Sequence, residues 1–339
     1  MLTSLAVSLI VAQTAPANAV TLGILETKTV QGVRPLAFAP APTGALFAAT
    51  LEDKTVRIIN AATRETVRTL QGHPVPAYAI AWSDDGAFIA TGDESARIFI
   101  WDARTGQKLR EMRTHIRGIQ NLSFNHPRTL LVSTGKDDVI KIYEVSTGKE
   151  LKSIPGQGVN FYGATFMGKS NSIGTGILGF GARVYNTQGV VTSFLTGHEG
   201  QGVFEIDFNR AATLAATAGR DGNAALWEVK GSKRLNYLRG HGDQVIHTRF
   251  APSGKFVATS SADRTVRVWS VNTYKPVLVL ENQSAVGSPI AFTNDGKYLL
   301  TASIDDFLQI NALNPAQAPA AEKVTPAKTT AKKKKKKGG

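Results

Sequence analysis

Stepping 42 residues at a time from Ile59 lands on Trp101, Tyr143, Tyr185, Trp227, Trp269 and Asn311. Seven copies at this constant period fill the block from Val20 to Leu313 and leave only the two ends outside it. A fixed period of this length means units that bury their faces against neighbouring units rather than around one shared centre. One copy shows the plan. From Gly240 a Gly-His pair leads into an apolar run ending at Phe250, then a turn at Ala251-Pro252-Ser253-Gly254. A second run, Phe256 to Ser261, passes through a tight turn at Asp263 into a third that closes on Trp269-Ser270. Short alternating runs between turn residues predict an antiparallel meander. The turns Ser83-Asp84-Asp85-Gly86 and Asn294-Asp295-Gly296 repeat the device. Both faces of the runs are rich in Val, Ile, Ala, Leu and Phe, as in sheets sandwiched between other sheets.

A Gly-His start and a Trp close in units of about 40 residues resemble the WD-repeat (WD40) family. The resemblance, and the register with it, covers nearly the whole chain between its ends. It implies an all-β fold, a seven-bladed WD40-type β-propeller of bacterial exported type. Blade seven ends at Leu313 without an outer strand of its own, and Val20 to Gln31 reads as extended. This N-terminal strand is expected to close the last blade, so that no sheet edge stays open at the seam.

The resemblance also implies a hydrogen-bonded network inside each blade: a loop His, a middle-strand Ser or Thr, a turn Asp and the closing Trp. Blade six matches with His241, Thr259, Asp263 and Trp269, and blade five with His198, Thr217, Asp221 and Trp227. Blade three offers His115, Ser133 and Asp137, with Tyr143 in place of Trp. Blade two keeps His73, Thr91 and Trp101 but has Ser95 at the Asp position. Blades one, four and seven lack the His, with Gln157 and Gln283 standing there in the last two. These residues are read as structural.

The ends differ in kind from the repeats. Leu2 to Ala12 is apolar and Ala17-Asn18-Ala19 has the small-x-small form of a signal-peptidase site. Residues 1–19 are therefore expected to be a signal peptide cleaved after Ala19, sending the protein to the periplasm or outside the cell. Without use of that signal it would stay cytoplasmic. The stretch is too short to span a bilayer. Residues 314–339 are rich in Ala, Pro and Lys and end in Lys332, Lys333, Lys334, Lys335, Lys336 and Lys337, a composition expected to be disordered. Eight lysines against Glu322 give this tail most of the net charge of +13. It reads as a solubility tail, a polybasic arm, or a tether to an anionic polymer.

No cysteine is present, which excludes disulfides, thiolate metal sites and thiol catalysis. Gly163 to Ser170, GATFMGKS, fits the phosphate-binding loop pattern, and Gly174 to Gly179, GTGILG, fits the dinucleotide pattern. Both require a strand before and a helix after. Here the first falls at a hairpin turn by register, and the second lies in a glycine-rich middle strand. The histidines show no ligand spacing, and acidic pairs such as Asp84-Asp85 fall in turns. Neither a metal nor a cofactor is expected, and a hydrolase at the channel mouth has no motif behind it.

Candidate partner-binding residues come from the family's geometry. Taken four positions before each inner-strand Phe or Trp, they are Arg34, Tyr78, Gln120, Tyr162, Phe204, Ile246 and Ser288. The resemblance places them near the channel rim on the loop face, where aromatics can anchor a partner. Glu52, Glu94, Lys136 and Arg220 add charge to that face. The chain is thus expected to be a monomeric, non-enzymatic scaffold for a protein partner. The alternative is a polyanion-binding or cell-surface protein that uses its lysine tail.

Overall fold

The computed structural model describes residues 22–314, apart from 31, 157, 199 and 285–286. The expected signal peptide, its cleavage after Ala19, the lysine tail and Gln157 lie outside the described residues. Within them are seven four-stranded antiparallel sheets and no helix. Six blades are consecutive meanders, with inner strands Pro35–Pro40, Ala77–Trp82, Ile119–Phe124, Phe161–Phe166, Val203–Phe208 and Val245–Phe250. These start 42 residues apart, so the sequence period is the spacing of the blades. The exposed hairpin turns fall at the Asp-Gly and Ser-Gly steps, with Gly86, Gly254 and Gly296 at positive φ, where a side chain would be strained.

Blade seven is assembled from both ends of the repeat block. Ala291–Phe292, Tyr298–Ala302 and Leu308–Asn314 supply three strands. The fourth is Gly23–Val30, antiparallel to Leu308–Asn314, with Gly23 opposite Asn314 and Val30 opposite Leu308. The ring therefore closes by hydrogen bonds between its two ends.

Each pair of neighbouring blades encloses its own apolar cluster. Between blades one and two, Val56, Ile58 and Leu70 meet Ile89, Phe99 and Trp101. The seam is built alike: Phe38, Phe47 and Ile59 of blade one pack on Leu300, Leu308 and Ile310 of blade seven. On its other side blade seven brings Leu22, Phe292, Leu299 and Leu313 against Val266, Val268 and Leu280 of blade six. A core divided in this way explains why both faces of most strands are apolar. At about 25 cal/mol per Å² of buried apolar surface, every interface contributes and none can be left open.

Blade four is closely approached by blade five. A Cβ on Gly174 would stand 2.5 Å from the Phe208 ring, and one on Gly176 would stand 2.5 Å from the Val203 carbonyl oxygen. Its middle-strand glycines let the inner strand of blade five approach.

Candidate functional site

The histidine networks lie just beneath the loop face. In blade six, His241 Nε2 and Trp269 Nε1 each lie 2.8 Å from Thr259 Oγ1, and His241 Nδ1 is 2.9 Å from Asp263 Oδ2. The Gly242 amide donates to the same carboxylate at 2.8 Å. Burial acts to raise Asp263, but the Gly242 amide, Thr265 and His241 hold its pKa down at about 2. Burial also lowers the pKa of His241 against the pull of Asp263, which favours the neutral ring. Blade five repeats this arrangement. His198 is 2.7 Å from Thr217 and 3.1 Å from Asp221, and Trp227 donates to Thr217 at 2.8 Å. In blade three, His115 bridges Ser133 and Asp137, and the Tyr143 hydroxyl lies 2.5 Å from Thr114 Oγ1.

Blade two corrects the expectation for Ser95. His73 Nδ1 pairs at 2.8 Å with Asp93 Oδ2, while Ser95 donates its hydroxyl to Asp93 Oδ1 at 2.7 Å. Thr91 and Trp101 complete the set. In blades three and five the position equivalent to 93 is Gly135 or Gly219, where a Cβ would come within 2.5 Å or 2.2 Å of the His Nδ1. In blade two the Asp93 carboxylate occupies that space itself, whereas blade six carries Ser261 there and still pairs His241 with Asp263.

Blade seven uses amides instead. Gln283 donates to Gln309, Thr301 donates to the same oxygen, and Asn311 donates to Thr301 at 3.2 Å. Asn311 also accepts from Thr27 on the closing strand at 2.8 Å, tying this network to the seam.

The inner strands of blades one to six, with Pro289 and Ile290 just before that of blade seven, line a cavity of about 280 Å³ at the loop-face mouth of the central channel. It gathers Tyr78, Gln120, Tyr162, Phe204 and Ile246 from five blades. Tyr78 is 45% exposed, and Tyr162 meets Phe204 edge-on with ring centroids 5.1 Å apart. With its amide turned so that the nitrogen faces them, Gln120 donates to Gly135 O and Phe161 O at 3.1 and 2.9 Å and so braces blades three and four. Lys136 is paired with Glu94 and sits 6.0 Å from the Tyr78 ring centroid. Arg220 is exposed on the loop face, and Glu52 is exposed beside Arg34, to whose carbonyl its amide bonds.

Two of the expected rim residues are placed elsewhere. Arg34 is not in the cavity wall; its Nε lies 3.4 Å from Asp306. Counting back from Phe38 shifted the register by two, because the terminal inner-strand position of blade one is held by Pro40. The residue equivalent to Tyr78 is Leu36, which does line the cavity. Ser288 is buried, and its hydroxyl accepts from the Ala302 amide at 2.6 Å.

Deeper in the channel, blades five and six face each other with a charged cluster that sequence reading did not single out. Arg249 Nη1 lies 2.7 Å from Glu205, which also accepts from the Thr248 amide at 3.0 Å and lies 3.3 Å from His247. Burial favours the neutral acid, but the charges of Arg249 and His247 hold Glu205 down at about 2. Asp207 accepts from the Phe250 amide at 2.7 Å, yet burial, aided by Glu205, pushes its pKa up to about 6. The 42-residue spacing of Glu205 from His247 was the available signal, since equivalent positions of adjacent inner strands are neighbours. Arg249 lines both this mouth and a second cavity of about 340 Å³ in the opposite half of the channel.

The phosphate-loop match is a hairpin. Phe161–Phe166 is a strand, Met167 to Ser170 turns back with the Ser170 amide on the Met167 carbonyl at 3.0 Å, and Ile173–Ile177 is the next strand. Among the described residues no group of three His, Asp or Glu side chains is arranged to hold a metal ion.

Seven sheets closed around a channel, with buried His networks under one face, define a β-propeller of the repeat type. The WD domain, G-beta repeat family model matches residues 64–102, 106–144, 189–228 and 232–270. Each match ends one residue after a closing aromatic of a blade with a His network. Four of the seven blades thus match the WD40 repeat, and the seven-bladed β-propeller is the fold that such repeats predict. Among curated relatives it is 26% identical over 179 residues to the nuclear distribution protein PAC1 of Fusarium vanettenii, covering 52% of this chain and 32% of that one. It is 26% identical to the SIR4-interacting protein SIF2 of Saccharomyces cerevisiae, covering 52% of this chain and 35% of that one. To the nuclear distribution protein nudF of Aspergillus niger it is 28% identical, covering 60% and 52%. The chain thus spans about a third to a half of these relatives.

Proposed function

We propose that this propeller is a non-enzymatic interaction scaffold that receives a protein partner on its loop face, at the mouth of the channel. The observation that carries this reading is the convergence of Tyr78, Tyr162, Phe204 and Ile246 from four blades on one cavity. Rigid aromatic side chains around a recess are the usual anchors of protein interfaces. The blade networks under the same face fix the loops, so such a surface is pre-organised and loses little entropy on binding. One relative is itself named an interacting protein, which agrees with this class of role. Export, with cleavage after Ala19, belongs to the same reading; N-terminal sequencing of secreted protein should begin at Val20, and an intact Met1 in cytosolic material would remove it.

The test is affinity capture with mass spectrometry, using the full chain, a Tyr78→Ala/Tyr162→Ala double variant and a chain ending at Leu313. A partner held by the first and third but lost by the second is the expected result. A partner held by the double variant and lost on truncation would favour the second reading, in which the eight tail lysines bind an anionic polymer.

A further inference from the structure

On the loop-face shoulder of blades four to six, arginine and aromatic side chains alternate along one strip. In blade four the Arg183 guanidinium lies 6.0 Å from the Phe180 ring centroid and 5.6 Å from that of Phe194. Both rings are exposed, at 61% and 55%. Three residues beyond Phe194, the Gly197 carbonyl accepts from Arg234 of blade five at 3.2 Å. Arg234 and Arg239 both stack on Tyr237, at 4.2 and 4.8 Å from its centroid. Arg239 precedes Gly240, and the Arg267 guanidinium of blade six lies directly over that glycine. The strip therefore spans three blades, its contacts linked by short stretches of chain.

The same position elsewhere in the ring is neutralised. In steps of 42, Arg183 and Arg267 are equivalent to Arg57 and Lys141. Arg57 is paired with Asp53 at 2.7 Å and Lys141 with Glu150 at 2.8 Å. In blade two, Arg97 and Lys108 share Glu111. Among the described residues, Arg183, Arg234, Arg239 and Arg267 have no carboxylate within 4.0 Å. Two guanidinium groups on one tyrosine repel each other unless an anion lies between them. Stacking also fixes their planes; Arg234 Nη1 is held by Gly197 O and the Tyr237 hydroxyl and Arg267 Nε by Thr265, which leaves their other N–H groups to meet a carboxylate.

We infer that this strip docks an acidic segment of a protein partner, with carboxylates on the arginines and apolar side chains against Phe180 and Phe194. A single-stranded nucleic acid would need a row of open aromatic faces on which to stack; Tyr237 already carries two guanidinium groups, and the open rings, Phe180 and Phe194, both lie in blade four. The inference goes beyond the channel mouth and stands without it, because none of these residues lines the mouth cavity.

The test uses the full chain with Lys332 to Lys337 changed to Ser, so that the tail does not bind the probe. The probe is a fluorescent Glu-rich peptide of about twelve residues containing two Phe, titrated near 0.15 M salt, where the Debye length of about 8 Å suppresses long-range attraction. Arg183→Ala/Arg234→Ala/Arg239→Ala should weaken binding about tenfold. The charge-matched Arg57→Ala/Arg97→Ala/Lys141→Ala should change it less than about twofold. If the first triple fails to fold by circular dichroism, the Arg→Lys triple replaces it and should still weaken binding measurably. Equal loss in both triples, or loss in neither, overturns the inference. So does a heparin fragment or DNA strand that binds the parent more tightly than the peptide and loses as much in the strip variant. Tyr78→Ala/Tyr162→Ala should leave peptide binding intact, which keeps failure of the mouth reading separate.

Discussion

Blades six and seven are neighbours that hold their loops by different chemistry. Blade six buries Trp269 beneath a His–Thr–Asp relay, whereas blade seven places Asn311, Thr301 and Gln309 in the corresponding space. Yet both belong to apolar interfaces of the same kind, and share one between them. The difference separates two tasks. Ring closure comes from repeated apolar contact, which tolerates substitution of the polar set. The polar set fixes the turns above it, and its chemistry can change while most of its buried groups keep a partner, Gln283 Oε1 and Asp221 Oδ2 being exceptions. In blade seven the network gains a bond from Thr27, so divergence there serves the seam.

The largest expected effect tests that separation directly. Trp269→Ala removes a fully buried ring and the donor to Thr259, and should cost about 4 kcal/mol in denaturant unfolding. Asn311→Ala at the equivalent position should cost about 1–2 kcal/mol, the scale of lost hydrogen bonds to Thr301 and Leu299. Similar losses would mean that the closing position acts through its network alone and not through packing.

Next come the turn carboxylates. Asp263→Ala leaves His241 without its acceptor and should cost on the order of 1–3 kcal/mol. Asp93→Ala should behave alike, because Asp93 is fully buried and serves His73. Asp53→Ala, which breaks a partly exposed pair with Arg57, should cost less than about 1 kcal/mol. If thermal denaturation ranks Asp93 with Asp53, the relay in blade two is ornamental.

Asp93 also marks the limit of what the sequence discloses. Period, blade number, the closing strand and the two full relays were legible because they recur at fixed spacing. Asp93 was missed because a carboxylate can reach the same histidine from two backbone positions, 93 in blade two and the equivalent of 95 in blades three, five and six. Arg34 was misplaced because Pro40 hides the register of blade one. The Glu205–Arg249 cluster and the unpaired arginines depend on contacts between blades, which become readable once equivalent positions are known to be adjacent.

Titration gives a smaller effect, with opposite signs in the two places. Asp263 has a folded-state pKa of about 2, below its unfolded value, so its contribution is present above about pH 4 and lost as pH falls through 2. His241 and His115 are lowered by burial, so their contribution is complete above about pH 6.5 and declines below it. Asp207 is raised to about 6, so it disfavours folding increasingly from about pH 4 up to 6 and then by a constant amount. Asp207→Asn should therefore stabilise the protein at pH 8 by on the order of 1 kcal/mol, with no difference below about pH 4. The Asp263→Ala deficit should instead persist from pH 6 to 8 and shrink toward pH 2. Melting midpoints across that range decide it; parallel curves for both variants would contradict the assignment.

The smallest effect is expected at Lys169, where the comparison is between one sequence pattern and two structural settings. A phosphate loop works because a row of free amides at a helix N-terminus faces the anion. In this propeller the pattern is interrupted by a hairpin whose Ser170 amide is already spent on Met167, and a strand follows where the helix should be. The glycines beyond it are explained by the approach of Phe208 and the Val203 carbonyl. Lys169 itself is exposed and forms no ion pair among the described residues. Lys169→Ala should therefore shift stability by less than about 0.5 kcal/mol, and calorimetry with ATP should give no saturable heat for either protein. Micromolar ATP binding that disappears in the variant would mean that a propeller turn can do what a helix N-terminus does.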